Sequence, residues 1–142
     1  MTDPRTERLV AYYETLSPST LDELAMVYAD DVHFKDPFNT TQGLAPLRAI
    51  FLHMFESLEN PKFVIAEAIT QGDQAFLIWN FEFTRKGLPS PMRIHGSSHI
   101  RYAPDGRVIW HRDYWDAAEE LYNHLPIVGG LFRWLQRRFS IV

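Results

Sequence analysis

An α+β fold, with helices laid over one face of a curved antiparallel sheet, is what the sequence predicts, and three observations carry that prediction. Apolar residues recur at helical spacing up to Leu58. After residue 61 the pattern changes to strand-like runs, and short turn signals separate those runs, so they form a meander. No repeat, low-complexity tract or linker interrupts the chain, and residues 1–142 are expected to form a single domain.

The elements follow in order. Leu9, Tyr12, Tyr13 and Leu16 mark a first helix that "SPST" ends. Thr20 with Glu23 fits a capping box, and Leu21, Leu24, Ala25 and Tyr28 then predict a second helix of about two to three turns, antiparallel to the first. "DDVHFKDPFNTTQG" reads as a short strand ending at Asp36-Pro37, because a residue before proline is pushed out of the helical region. Leu47, Ile50, Phe51, Met54 and Leu58 mark the third N-terminal helix, with Pro46 in its first turn and Asn60-Pro61 beyond its end. Four strands come next, "KFVIAEAITQ", "QAFLIWNFEFT", "MRIHGSSHIRYA" and "RVIWHRDYW", divided by Gly72-Asp73, by "RKGLPSP" and by Pro104-Asp105-Gly106. Residues 117–142 read as a C-terminal helical extension, interrupted at Pro126 and at Gly129-Gly130. Leu131, Phe132, Leu135 and Phe139 lie on one side of it and Arg133, Arg137 and Arg138 on the other. A stripe of this kind more commonly covers the sheet or a partner than a membrane surface.

Composition narrows the function. The net charge of −4 and the pI near 5.8 give no basic footprint for nucleic acid. With no cysteine, disulfides, thiolate nucleophiles and cysteine metal sites are excluded. His33, His53, His95, His99 and His124 show no metal-binding spacing and there is no HExxH pattern, so neither metal nor cofactor is expected. The N-terminus carries charges where a signal peptide needs an apolar run, and no run approaches the roughly 20 residues of a membrane span, so the expected compartment is the cytoplasm. Aromatics make up 14% of the chain, enough to wall a pocket as well as fill a core.

The block "LDELAMVYADDVHFKDPFNTTQG", the helix "GLAPLRAIFLHMF" and the meander together resemble the nuclear transport factor 2-like superfamily. That is the cone-shaped, cystatin-like fold shared by ketosteroid isomerases, SnoaL-like polyketide cyclases and limonene epoxide hydrolase. The likeness runs to about residue 116. It implies a fold that hosts enzymes, binding modules and docking domains alike. Ketosteroid isomerase is the functional parallel, and its proton-shuttling aspartate matches Asp36 in "FKDPF". Its oxyanion-donating tyrosine on the first helix corresponds, by ungapped spacing, to Tyr12. Its protonated aspartic acid on the third long strand corresponds to Ser98, a weaker donor, which departs from the steroid pattern.

Strand parity then sorts the remaining candidates. If Ser98 faces the cavity, so do Met92, Ile94, Gly96, Ile100 and Tyr102, while Arg93, His95, Ser97, His99 and Arg101 face away. A four-residue loop "APDG" would pair Tyr102 with Arg107, Ile100 with Ile109 and Ser98 with His111. Ile109, His111, Asp113 and Trp115 then face inward, and Val108, Trp110, Arg112 and Tyr114 outward. A one-residue bulge at Gly106 would swap the two sets.

Asp36, Tyr12, His111 and Asp113 are therefore the candidate catalytic residues, and Trp79, Phe81, Ser98, Ile100, Trp115 and Phe51 the candidate pocket. SnoaL-like cyclases resemble the His111/Asp113 arrangement, using a cavity aspartate and histidine for enolate chemistry. Two classes of function stay open. One is a cofactor-independent, isomerase- or cyclase-like enzyme that moves a proton next to the carbonyl of a small apolar steroid-, polyketide- or lipid-like molecule. The other is a non-catalytic ligand-binding or dimerisation domain, whose outward aromatic stripe of Trp110 and Tyr114 would form a homodimer through the sheet.

Overall fold

A computed structural model of the chain describes residues 2–87, 90–120 and 127–140. Helix α1 (Pro4–Glu14) starts with Asp3 as its cap, whose side chain accepts from the Arg5 backbone, and with proline in its first turn. The next cap is Ser17, not Thr20. Ser17 and Thr20 form a reciprocal capping box around a 3₁₀ segment, Pro18–Glu23, which runs into a one-turn helix α2 (Leu24–Val27). The predicted second helix is thus shorter than its apolar spacing suggested, because the chain turns extended at Tyr28 and begins β1 (Tyr28–Lys35) there. β2 (Thr40–Gln42) and α3 (Leu44–Ser57) follow, α3 entered through Gly43 at φ 99°.

β3 (Leu58–Gln71) starts directly after α3. Asn60, at φ 51°, and Pro61 form a register shift inside this strand, not a turn before it. β4 (Gln74–Arg85), β5 (Pro91–Tyr102) and β6 (Val108–Tyr114) complete the meander, and α4 (Ala117–Glu120) and α5 (Val128–Phe139) end the chain. The sheet order is β2-β1-β6-β5-β4-β3. Every pairing is antiparallel except one: β1 runs parallel to β6, which puts Phe34 beside His111. α5 runs through Gly129-Gly130 without a break, while Pro126 and His124 lie outside the described residues.

The core lies between the helices and the inner face of β4, β5 and β6. Leu9 and Tyr13 of α1, Leu47 and Phe51 of α3, and Leu77 and Ile100 of the sheet are all buried in it. Along β5, Ile94, Gly96, Ser98, Ile100 and Tyr102 are buried and His95 and Arg101 exposed, which is the alternation expected.

The β5–β6 register differs from expectation in an instructive way. Ala103 and Arg107 close a three-residue loop, Pro104-Asp105-Gly106, in which the Gly106 amide donates to Ala103 and Gly106 takes φ 87°. That slips the register by one and pairs Tyr102 with Val108, so Val108 is buried, not outward. A second one-residue slip follows at Ile109, because Arg101 pairs with Trp110. Two slips of one restore parity. His111 therefore pairs with Ile100 and Asp113 with Ser98, each two residues from the expected partner yet on the expected face.

Candidate active site

Six side chains are strung in one line under the helices. The Trp79 indole N–H donates to Ser98 Oγ at 2.8 Å, and Ser98 donates to Asp113 Oδ1 at 2.5 Å. The same Asp113 oxygen lies 2.6 Å from His111 Nε2. On the other side of the ring, His111 Nδ1 is 2.9 Å from the Tyr28 hydroxyl, which bonds the Tyr13 hydroxyl.

Donor and acceptor logic gives the string a direction. A carboxylate oxygen only accepts, so His111 donates from Nε2, and in the neutral ring Nδ1 is then an acceptor for Tyr28, whose oxygen accepts from Tyr13. Burial pushes both tyrosine hydroxyls well above their ordinary pKa, with the nearby Asp113 charge adding to it, so they remain protonated donors. His111 is almost wholly buried, packed between Phe34 at 5.0 Å between ring centres and the stacked Tyr28 ring. Asp113 is not: its side chain is 18% exposed, and its Oδ2 has no hydrogen-bond partner among the described residues.

Asp113 opens into a cavity of about 300 Å³. Phe34 and Phe38 wall it from the β1 side, Ile50, Phe51 and Met54 from α3, and Phe63, Trp79, Phe81 and Ile94 from the meander. Trp115 meets Phe38 at 5.6 Å and nearly a right angle, and both line the cavity. Trp79 lies flat across β5 because its cross-strand neighbour is Gly96, where a Cβ would sit 2.5 Å from the indole.

Of the predicted pocket residues, Trp79, Phe81, Phe51 and Trp115 line this cavity. Ser98 and Ile100 do not, since both are buried behind it, Ser98 under the Trp79 indole and Ile100 in the core beside His111. His111 is likewise behind the wall and reaches the cavity only through Asp113. Tyr12 is removed from the site altogether: its hydroxyl donates to the Thr20 carbonyl, and burial with Glu23 nearby pushes its pKa up to about 12. Its neighbour Tyr13 points toward the string instead, one helix position, or about 100°, further round.

Asp36 also lines the cavity, but its carboxylate is the hub of a tight turn. Oδ1 accepts from the Phe38 and Asn39 amides at 2.8 and 2.6 Å and from the Asn39 side chain at 3.1 Å. Across the cavity, His53 Nδ1 and Ser57 Oγ are 3.1 Å apart, an i, i+4 pair on α3. Among the described residues no group of three or more potential ligands could hold a metal.

The two groups that sequence reasoning missed are Tyr13 and Tyr28. Both sat in apolar stripes read as core. The doubled tyrosine in "AYYE" was the one available signal, since two adjacent positions on a helix cannot share a face.

A family model described as SnoaL-like domain matches residues 9–111. No curated protein matches the sequence significantly. Solved structures do match in fold. A hypothetical protein from Catenulispora acidiphila with a ketosteroid isomerase-like fold, in complex with trimethylamine, is 20% identical, with 85% of this chain and 92% of that chain covered and a TM-score of 0.71. A putative SnoaL-like polyketide cyclase from Jannaschia is 14% identical, with 84% and 92% covered and a TM-score of 0.71. TerC co-crystallised with polyporic acid is 18% identical, with 82% and 95% covered, also at 0.71.

Proposed function

We propose that this chain, which belongs to the SnoaL-like domain family, is a cofactor-independent enzyme that moves a proton next to the carbonyl of a small molecule. Asp113 is the base. One observation carries the reading: Asp113, a residue of the cavity wall, has its Oδ1 held by Ser98 and His111 while its Oδ2 has no partner among the described residues. In the reaction Oδ2 takes the α-proton, the C–H electron pair becomes the C=C of an enolate, and the proton returns to the same or another carbon. Ser98 and His111 hold the carboxylate still, and Tyr28 and Tyr13 fix the tautomer that lets His111 do so. Asp36 is the less suitable base, because its carboxylate is held by the turn, Oδ1 by two amides and the Asn39 side chain and Oδ2 by the same side chain at 3.2 Å. The ligands named for two similar structures, trimethylamine and polyporic acid, are small molecules, which supports a small-molecule cavity here.

The test is exchange of α-protons of enolisable ketones in heavy water. Wild type is expected to exchange them, Asp113→Asn to lose about 10³-fold, and Asp36→Asn to stay within about fivefold. Asparagine at 113 still accepts from Ser98 and His111, so the fold survives the change. Equal exchange in wild type and Asp113→Asn would sink this reading and leave the ligand-binding domain in its place.

A homodimer through the outer sheet face belongs to the same proposal. Trp110 lies on that face with a buried indole N–H that finds no acceptor among the described residues, and Phe76 and Tyr114 are each 44% exposed there. Light scattering should give twice the chain mass, and a single chain mass would refute it. No helix among the described residues is long and apolar enough to cross a membrane. A cytoplasmic location is part of the proposal.

A further inference from the structure

The cavity's charge favours a positively charged ligand over a neutral one of the same shape. Two carboxylates, Asp36 and Asp113, border it, and no lysine or arginine does among the described residues. The basic side chains nearest in sequence, Lys35 and Arg112, border a neighbouring cleft that Asp36 and Asp113 also line, and the Arg112 guanidinium there lies over the Tyr114 ring at 4.6 Å. A neutral apolar guest would strip water from both carboxylates and return nothing.

The walls tell the same story. Seven aromatic rings border the cavity; Phe38 meets Trp115 at 71° and Phe63 meets Trp79 at 86°, while Phe63 stacks on Phe81 at 28°. A guest in such a corner meets the face of one ring and the edge of the other. Ring faces are negative and attract a cation most strongly where water is excluded.

A third observation concerns what is missing from the wall. Enolate formation needs a positive group or a donor near the carbonyl oxygen. Tyr12 and Tyr13 are both turned away from the cavity, Tyr12 to Thr20 and Tyr13 to Tyr28. The donors among the described lining side chains are neutral: His53 and Ser57, bonded to each other, and the indole N–H groups of Trp79, which donates to Ser98, and of Trp115. The carbonyl takes up the electron pair, and a positive charge carried by the substrate itself would stabilise the enolate oxygen where the wall has no cationic side chain among the described residues.

We propose that the cavity selects an organic cation, a small carbonyl compound bearing an alkylated or protonated ammonium group that sits among the aromatic rings beside Asp36, with its acidic carbon toward Asp113. The role of Asp113 rests on the proton-transfer reading above; selection of the cation does not.

The experiment compares choline with its neutral isostere 3,3-dimethylbutan-1-ol, titrated calorimetrically into the full chain. Choline is expected to bind at least about tenfold more tightly. Asp36→Asn, which keeps the turn because the amide oxygen accepts the same backbone N–H groups, should weaken choline about fivefold and leave the isostere unchanged. Phe38→Leu, which keeps apolar bulk but removes a ring, should do the same more weakly. Equal affinities, a tighter isostere, an Asp36→Asn variant that binds choline as wild type does, or no binding of either probe up to about 10 mM would each overturn the proposal. Ketone exchange that depends on Asp113 would survive any of those results, so the two readings fail separately.

Discussion

Helix α1 feeds two buried polar networks, and the contrast between them is informative. At its N-terminal end Thr6 bonds the Thr70 hydroxyl at 2.7 Å and the Tyr102 hydroxyl at 2.6 Å, and it reaches no charged group. Two turns on, on the same helix face, Tyr13 starts the string that runs through Tyr28 and His111 to Asp113. Both satisfy buried hydroxyls, and both tie α1 to the sheet. They differ in what they reach: Thr6's partners are uncharged groups, while Tyr13's string includes a carboxylate that lines a cavity. A buried hydrogen-bond network by itself reports packing, and one that terminates in an unsatisfied charge at an opening reports chemistry.

Substitutions can sharpen or break that contrast. His111→Ala should have the largest effect, costing about 3 kcal/mol in urea unfolding, because it leaves a cavity and strands Tyr28 in the core. It should also abolish the ketone exchange. Gly96→Ala should follow at about 2 kcal/mol, since the new methyl displaces the Trp79 indole and with it the donor on Ser98. Thr6→Val is expected to cost about 1–2 kcal/mol while leaving exchange unchanged; a matching loss of exchange would mean that the two networks are one.

Alkaline titration reads the tyrosines directly. Tyr12, Tyr13, Tyr28 and Tyr102 all have raised pKa values, chiefly from burial, so the folded chain holds their protons more tightly than the unfolded chain does. Their contribution is therefore complete below about pH 10 and is lost as pH rises above it. Unfolding free energy measured between about pH 9 and about pH 11 should fall in wild type and fall less steeply in Tyr13→Phe. The smallest expected change is in Tyr12→Phe, at about 1 kcal/mol or less, with exchange rates equal to wild type.

The meander was legible in the sequence because β5 alternates cleanly, so one residue assigned a face assigns the strand. His111 and Asp113 were assigned the face they occupy, but by a register two residues away from the observed one. The Ile109 bulge was illegible because it leaves no mark in residue type. Tyr28 was hidden for a different reason: it continues the apolar stripe of Leu21 and Leu24, and only tertiary pairing of β1 with β6 makes it a strand residue. Choosing Tyr12 over Tyr13 was a matter of one position of helix rotation, which spacing carried over from a distant fold does not resolve.

Along β6, the side of the sheet to which each residue points behaves like a reading frame, and the slips at Gly106 and Ile109 are two shifts that cancel. Losing one residue at either place would turn either Val108 or the His111 and Asp113 pair out of the core. Losing one at both places would leave the frame intact. Length variation in this hairpin is thus admissible only in compensating pairs, and a homologous chain with a single-residue deletion there should have moved its acid and its histidine to other strand positions.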